Sequence, residues 1–550
     1  MSEAPPPPAP PERRRSLWAW GWADKLPDAA ARRGLAQVAH ALLGPRSGSD
    51  AVVEAPGPDD DAAPLVPAAR VGVPPALADL ASADPHDRAA HTHGRGYLDL
   101  VRGCAGDYAC APDLVARPGD AAAVARVLEV ADAHGLVVVP FGGGTSVVGG
   151  VTVPAEQRDR PVLTLDLARL GALREVDPVS RVAWIEAGAT GPALEAALAA
   201  HGLTLRHFPQ SFEFSTLGGW LATRAGGHYA TGPTHIDDLC QALTMITPRG
   251  PLTTARRPAS GAGPEPLRLA LGSEGALGVI TDAWMRVVPR PRWRGQATAA
   301  FTRFEDGVAA ARALAQSGLL PSNARLLDGA EARLHRVGFD GASLLLIGFE
   351  SADHPPDAAL ARACELARDH GGALRSGPTV RDDAAAQPGQ RDAAAGAWRQ
   401  AFLDAPYLQS ALITVGVLVD TFETACTWAA FPALHADVTA AVRAALVDQC
   451  GGGVVTCRFT HVYPDGPAPY YTSLGWARPG AEAAQWAAIK RAASDALTGA
   501  GGTITHHHAV GRVHAPWYRR ERPPLFADAL AAVKRSLDPR GLMNPGVLVD

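Results

Sequence analysis

Leu136-Val137-Val138-Val139-Pro140-Phe141-Gly142-Gly143-Gly144-Thr145-Ser146 is an apolar run that ends abruptly in three glycines and two hydroxyl side chains. Leu136–Pro140 has the length and composition of a buried strand. The glycines that follow can take φ > 0 and, lacking Cβ atoms, let the backbone come close to a ligand. Successive N–H groups in such a turn form a concavity for an anion, to which Thr145 and Ser146 add hydroxyl donors. A charge-assisted hydrogen bond contributes about 1.5–3 kcal/mol, so a few of them hold a diphosphate. A Rossmann loop would open a helix and be followed about twenty residues on by an acidic residue. Here Val147-Val148-Gly149-Gly150-Val151-Thr152-Val153-Pro154 follows, a poor helix. A P-loop would need a lysine after its last glycine, and none is present. Taken alone, the loop also fits a tight turn between strands.

Two further loops favour the ligand. Pro209-Gln210-Ser211-Phe212-Glu213-Phe214-Ser215-Thr216-Leu217-Gly218-Gly219 is small and hydroxyl-rich, and it runs into Ala222-Thr223-Arg224-Ala225-Gly226-Gly227. Gly272-Ser273-Glu274-Gly275-Ala276-Leu277-Gly278-Val279-Ile280 precedes another strand. Three such loops suit an extended dinucleotide lying along several turns.

The chain has 550 residues, too many for one compact core, so two large domains are expected. Its 51 basic and 56 acidic residues leave a net charge of −5, without the basic footprint of a nucleic-acid partner. No apolar run reaches bilayer length; Ala411–Val419, read as a strand, is short and contains Thr414 and Gly416. No apolar segment follows the basic Arg13–Arg15, as a secretory signal would require. The seven cysteines form no C-x-x-C pair, which predicts a reduced, cytoplasmic protein.

Helical spacing over Ala121–His134, Pro192–His201, Asp306–Ser317 and Leu525–Leu537 alternates with strand patterns at Val162–Leu167, Val182–Ala187, Leu239–Thr247, Gly278–Val288, Ser343–Glu350 and Val454–Tyr463. This is an α+β pattern with many strands and few crossover helices. Residues 1–90 are expected to be an extension, mobile at Pro5–Pro10 and Ser47–Ala63 but docked through Trp18, Trp20 and Trp22. A first domain over 91–290, a second over 295–500 and a C-terminal segment over 501–550 complete the division.

Pro140–Ser146, Gly218-Gly219, Gly272–Ile280 and the ending Asp538-Pro539-Arg540-Gly541-Leu542-Met543-Asn544-Pro545-Gly546 resemble the vanillyl-alcohol-oxidase/PCMH-type FAD superfamily. Within it, His91-x-His93-Gly94, Glu213-Phe214-Ser215-Thr216-Leu217-Gly218-Gly219-Trp220, Thr247-Pro248-Arg249-Gly250, Arg325-Leu326-x-Asp328, Thr456-Cys457-Arg458 and His506-His507-His508-Ala509-Val510-Gly511-Arg512 are similar to the alkyldihydroxyacetonephosphate synthase family. The resemblance implies a two-subdomain FAD-binding domain followed by an α+β cap with an antiparallel sheet. It implies non-covalent FAD lined by Pro140–Ser146, Gln210–Thr216, Thr223–Gly226 and Glu274–Ile280. It implies Tyr470 as general base and Arg325 beside the flavin, with His506, His507 and His508 as a cationic or proton-relaying wall. In that family the acyl group of acyl-dihydroxyacetone phosphate is exchanged for a fatty alcohol through a flavin N5 adduct, with no net redox change. The expected assembly is a homodimer, with a lipid-like substrate and room for peripheral membrane contact.

If the histidine trio lies in a strand, His506 and His508 share one face and His507 points away. Three tight neighbours fit tetrahedral metal coordination poorly, so no metal is expected. Tyr470 has a poor ordinary pKa for a base, and lowering it by three units takes about 4 kcal/mol of phenolate stabilisation. Gln210, Ala509 and Gln409 depart from the family's aspartate, glycine and arginine; the last removes a bidentate phosphate partner. An FAD-linked oxidase or dehydrogenase of a 2-hydroxy acid or alcohol is therefore the second reading.

Overall fold

The computed structural model describes residues 13–46, 66–154, 158–384 and 404–549. The stretches Pro5–Pro10 and Ser47–Ala63, expected to be mobile, lie outside these residues.

Asp120 caps the helix Ala121–Ala133 by accepting from Ala123 N–H at 2.7 Å, and Val124, Val127, Leu128 and Ala131 form its buried face. The chain then enters Val137–Phe141, whose unbroken apolar run suits a strand covered on both faces. It lies at one end of a four-stranded sheet, in the order Ala81–Ser82, Leu114–Ala116, Val162–Asp166, Val137–Phe141; the last three strands are parallel. A second sheet of five antiparallel strands runs Leu173–Asp177, Val182–Glu186, Val279–Arg286, Cys240–Thr247, Gly250–Thr253. One hydrophobic cluster containing Val138, Leu163, Ile185, Leu243 and Met285 joins the two sheets.

The third sheet has seven antiparallel strands, in the order Ala373–Asp382, Trp293–Phe301, Ser343–Ser351, Asn323–Leu327, Val454–Val462, Pro467–Trp476, Val417–Glu423. Helices Phe304–Gln316, Asp357–Asp369, Phe431–Cys450 and Glu482–Gly499 pack on it through Leu314, Leu360, Val438 and Ile489. The expected strand Ala411–Val419 is corrected: 404–413 is helical and the strand starts only at Val417. A short apolar run is compatible with either element, and here the buried Leu412, Ile413 and Val415 fill a helix end and turn.

Both chain ends tie these sheets together. Trp18 and Trp20 are buried; Trp20 N–H donates to Ser410 Oγ at 2.9 Å, and Trp22 Nε1 donates to Glu213 Oε1 at 2.6 Å. At the other end the Val138 N–H donates to Leu542 O and Asn544 N–H to Val138 O, each at 2.9 Å, extending the parallel sheet. The buried Asp538 carboxylate orders this tail, accepting from Leu542 N–H, Met543 N–H and Lys534 Nζ at 2.6–2.9 Å.

Asp538→Ala leaves the Lys534 ammonium and two amides without their acceptor, at an expected cost of about 3 kcal/mol. Thermal denaturation followed by circular dichroism checks this: the variant melts several degrees lower, whereas a shift no larger than that of an exposed control contradicts the role given to Asp538.

Candidate active site

A Cβ placed on Gly143 would lie 1.9 Å from Phe214 O, and one on Gly142 would lie 2.3 Å from Thr216 Oγ1. Two bare glycines therefore let the first loop lie directly against the second. The N–H groups of Gly142 through Ser146 donate to no protein acceptor among the described residues, and they border one continuous cavity. A third loop closes on the same space. Asn544 Nδ2 bridges Gly150 O (3.0 Å) and Glu274 O (2.8 Å), while the Glu274 carboxylate accepts from Val510 and Gly511 N–H at 2.9 and 2.7 Å. Burial pushes the Glu274 carboxyl up to about 7 against those two donors. A row of unengaged amides in a cradle that a Cβ would fill fits a diphosphate.

Pro140–Ser146, Gln210, Ser211, Ser215, Thr216, Thr223, Ala225, Gly226, Glu274, Gly275, Gly278 and Ile280 line this cavity. Phe212, Glu213, Phe214, Arg224, Ala276, Leu277 and Val279, expected with them, do not. Glu213 turns outward to Trp22 and Tyr407 (2.8 Å), and Phe214 is buried against Trp20 and Trp22. Phe212 stacks on Trp220, Arg224 pairs with Asp237 at 3.1 Å, and Ala276, Leu277 and Val279 are buried. Local composition marked the loops, but which side chain of a loop faces inward is set by what packs behind it.

His507 and His508 line the cavity, and His506 does not, which corrects the alternation expected of a strand. The trio lies outside the named strands, and its main chain curls around the buried Glu423 carboxylate. Glu423 accepts the N–H groups of His506, His507 and His508 at 2.7, 3.2 and 3.0 Å and the Thr505 hydroxyl at 2.7 Å. Burial alone would raise this carboxyl, but the histidines, in the acid range where they carry charge, and the Thr505 hydroxyl draw it well below the usual carboxylate range. The cationic wall is also corrected. Burial brings His507 down to about 3 and His508 to about 4 despite Glu423, so both rings are neutral at pH 7. Their remaining exposed surface, 17% and 14%, borders the cavity rather than an open face of the protein.

A hydrogen-bond chain leads away from the cavity: His507 Nδ1 to His506 Nδ1 (3.1 Å), His506 Nε2 to Tyr463 OH (2.8 Å), and Tyr463 OH to Thr234 Oγ1 (2.9 Å). His461, His506 and His507 have ring nitrogens within 4.8 Å of one another, near enough to hold a metal ion. Both nitrogens of His461, on Gly227 O (3.0 Å) and Thr460 Oγ1 (3.1 Å), and both of His506 are already engaged, which gives the cluster the character of a relay.

Sheet register builds a row of polar side chains. Tyr470 sits directly opposite Arg458 on one neighbouring strand and Glu423 on the other. Opposed residues present side chains to the same face, so a cation, a phenol and a carboxylate meet without any sequence motif. Tyr470, Thr472 and Leu474 line the cavity, while Tyr471 packs on the other face against Phe422 and His435; this separates the two adjacent tyrosines. The Arg458 guanidinium lies 3.9 Å from the Tyr470 ring centre. Burial pushes the Tyr470 phenol up and Arg458 pulls it back. Arg458 is itself paired with the buried Glu331, which His335 also contacts at 3.0 Å. Arg325, 1% exposed, donates to His228 O at 2.8 Å; burial, then the charge of Arg458, lowers it to about 9. Arg458 and Glu423 were absent from the sequence-based site, although Arg458 lies in one of the resembling motifs.

Residues 112–256 match the family model described as an FAD binding domain, and residues 290–548 match that of the C-terminal domain of FAD linked oxidases. The chain is an FAD-dependent enzyme with the PCMH-type FAD-binding fold and an α+β architecture. Within that class it is similar to alkyldihydroxyacetonephosphate synthases. It is 28% identical over 500 residues to the alkyldihydroxyacetonephosphate synthase of Dictyostelium discoideum, covering 86% of this chain and 79% of that one. It is 28% identical over 498 residues to the Trypanosoma brucei brucei protein of the same name, covering 85% and 78%. A solved structure of an alkyldihydroxyacetonephosphate synthase superposes with a TM-score of 0.70 at 26% identity, covering 85% of this chain and 82% of that one.

The neutral, buried histidines make stability pH-dependent. Unfolded histidine titrates near 6.5, so below that pH the unfolded chain binds protons that His507 and His508 refuse until about 3–4. The melting temperature is expected to be flat above about pH 7 and to fall steadily below about pH 6.5. Replacing both residues by glutamine makes the slope of melting temperature against pH shallower; an unchanged slope counts against neutral rings.

Proposed function

We propose that the chain exchanges the acyl group of an acyl-dihydroxyacetone phosphate for a fatty alcohol, forming an ether-lipid precursor on non-covalently held FAD. The observation that carries this reading is the Arg458–Tyr470–Glu423 row, at the same cavity that the three glycine-rich loops border. FAD held by the three glycine-rich loops would supply an electron-poor isoalloxazine ring as the electrophile for this exchange. Tyr470 removes a proton from that unit. Because its burial favours the neutral phenol, Arg458 provides the phenolate stabilisation, and Glu331 fixes Arg458 in place. His507 and His508, held neutral, offer hydrogen-bonding ring nitrogens at this end of the cavity, and the hydrogen-bond chain from His507 through His506 to Tyr463 leads away from it. Arg325 supplies positive charge for oxygen that becomes anionic during the exchange. Leu334, Leu408, Leu412, Val419 and Leu474 form an apolar wall suited to an alkyl chain.

In this reading residues 91–290 form the FAD-binding unit, 295–500 the cap and 501–550 the returning segment, with 1–90 an extension. With it go a homodimer, to be read from light scattering, and a reduced cytoplasmic setting, in keeping with seven free thiols. The same reading has lipid substrate collected by peripheral contact; among the described residues no helix is long and apolar enough to cross a membrane.

Gln409, uncharged where the resembling family has arginine, supports the second reading, an FAD-linked oxidase of a 2-hydroxy acid or alcohol. An anaerobic titration separates the two. Acyl-dihydroxyacetone phosphate with fatty alcohol gives ether product and leaves the flavin oxidised, whereas bleaching by a D-2-hydroxy acid rejects the synthase. Tyr470→Phe should keep its flavin absorbance and lose about 10²–10⁴-fold in kcat; activity within a few-fold of the parent removes Tyr470 from the base role.

A further inference from the structure

Two guanidiniums flank the first glycine loop, and neither has a carboxylate within 4.0 Å among the described residues. Arg95 is 5% exposed and lines the cavity. Its Nη1 donates to Gly94 O (2.7 Å) and His93 O (3.3 Å), its Nη2 to Ser16 O (3.3 Å), and its Nε has no acceptor. Its main-chain N–H donates to Ser146 O at 2.6 Å, which fixes it at the end of the loop. Arg15 reaches the same loop from the N-terminal segment, with Nη2 on Gly143 O at 3.0 Å and the guanidinium 4.6 Å from the Phe214 ring centre.

The acidic groups in their field are engaged elsewhere. Asp99 accepts from Gly96 N–H at 3.0 Å and its carboxyl is pushed up by burial. Asp166 pairs with His91 and Arg117, and Glu213 binds Trp22 and Tyr407. Burial, and after it the charge of Arg15, pulls Arg95 down to about 10. Arg458, by contrast, has its carboxylate at hand. Carbonyl oxygens alone neutralise no charge, so a buried cation, with a second half-buried one behind it, beside a row of unengaged amides constitutes a site built for an anion.

We propose that Arg95, with Arg15 behind it, binds a phosphate group at the end of the glycine loop. The inference rests on the FAD reading above. The same chemistry has two sources, the diphosphate of FAD and the phosphate of the substrate; for the latter, Arg95 would stand in for the arginine missing at position 409.

The test uses the full chain freed of flavin and retitrated with FAD, FMN and riboflavin by fluorescence, in the parent, Arg95→Gln and Arg95→Lys. A second arm compares KM for acyl-dihydroxyacetone phosphate with KM for the ester lacking phosphate. Arg95→Gln should weaken one phosphate-bearing ligand by about 10–100-fold, the lysine variant less. Loss confined to FAD and FMN, with riboflavin unchanged, assigns the cofactor's phosphate; a raised KM confined to the phosphorylated ester assigns the substrate's. All constants within twofold of the parent, or equal losses with and without phosphate, overturn the inference. If Arg95→Gln does not fold, Arg95→Lys and Arg15→Gln decide by the same comparison. A parent chain that takes up no FAD refutes the functional reading itself, before any variant is compared.

Discussion

The Phe214 carbonyl occupies space that a side chain on Gly143 would need, and the Thr216 hydroxyl does the same for Gly142. That close approach holds two loops from different sheets in one surface, and the rest of the cofactor half is arranged around it. Ser215 and Thr216 are tied down in turn: Ser215 Oγ accepts from Trp220 Nε1 at 2.7 Å, and Thr216 Oγ1 caps the helix Leu217–Thr223. The C-terminal tail then locks the third loop through Glu274 and Asn544. With the loops fixed by one another, the amides of the first are free to serve a ligand, and their order is established before binding. Such preorganisation is what makes backbone donors effective.

The buried charges follow a common pattern whose exceptions are informative. Glu331 lies against Arg458, Asp420 against Lys490 at 3.1 Å, and Asp538 against Lys534 at 2.6 Å. Each is a pair in which removal of one member would leave a stranded charge. Glu423 is different, since its partners are amides and neutral rings. A carboxylate satisfied by three consecutive N–H groups needs no cation, and for that reason the histidines around it can remain unprotonated. Arg95 and Arg15 are the opposite case, cations whose protein acceptors are carbonyls only.

How much of this was legible in the sequence depended on the range of the interaction. Gly142–Gly144, Gly218-Gly219 and Gly272–Gly275 announce themselves because close backbone approach demands glycine locally. The helix Ala121–Ala133 and the strands around it were equally plain from periodicity. The histidine trio was visible as a motif, but its orientation was not, because Glu423 lies 83 residues before His506 and its role appears only after folding. Arg458 and Tyr470 become neighbours through register between two strands, which no local pattern encodes. Arg15 and Arg95 had no motif to single them out, since their place at the glycine loop is set by contacts with the N-terminal segment. The strand misplaced at Ala411–Val419 failed for a different reason: a short apolar run in a helix end and in a buried strand look alike.

These ranges explain how the two halves of the site can differ in tolerance. The cofactor loops depend on the absence of atoms, so almost any substitution at Gly143 pushes against Phe214 O. The row at Tyr470 depends on charge balance, with its geometry set by strand pairing. Tyr470 is poised between a cation that favours phenolate and two carboxylates, Glu331 and Glu423, that oppose it. The proton affinity of its phenol is therefore set by opposing fields. Neutral His507 and His508 leave that balance to Arg458 and the two carboxylates: protonated rings beside Tyr470 would add to the pull toward phenolate and lower its proton affinity further. Burying the histidines on a carboxylate that is already satisfied by main-chain donors is how the fold keeps them near the phenol without charging them.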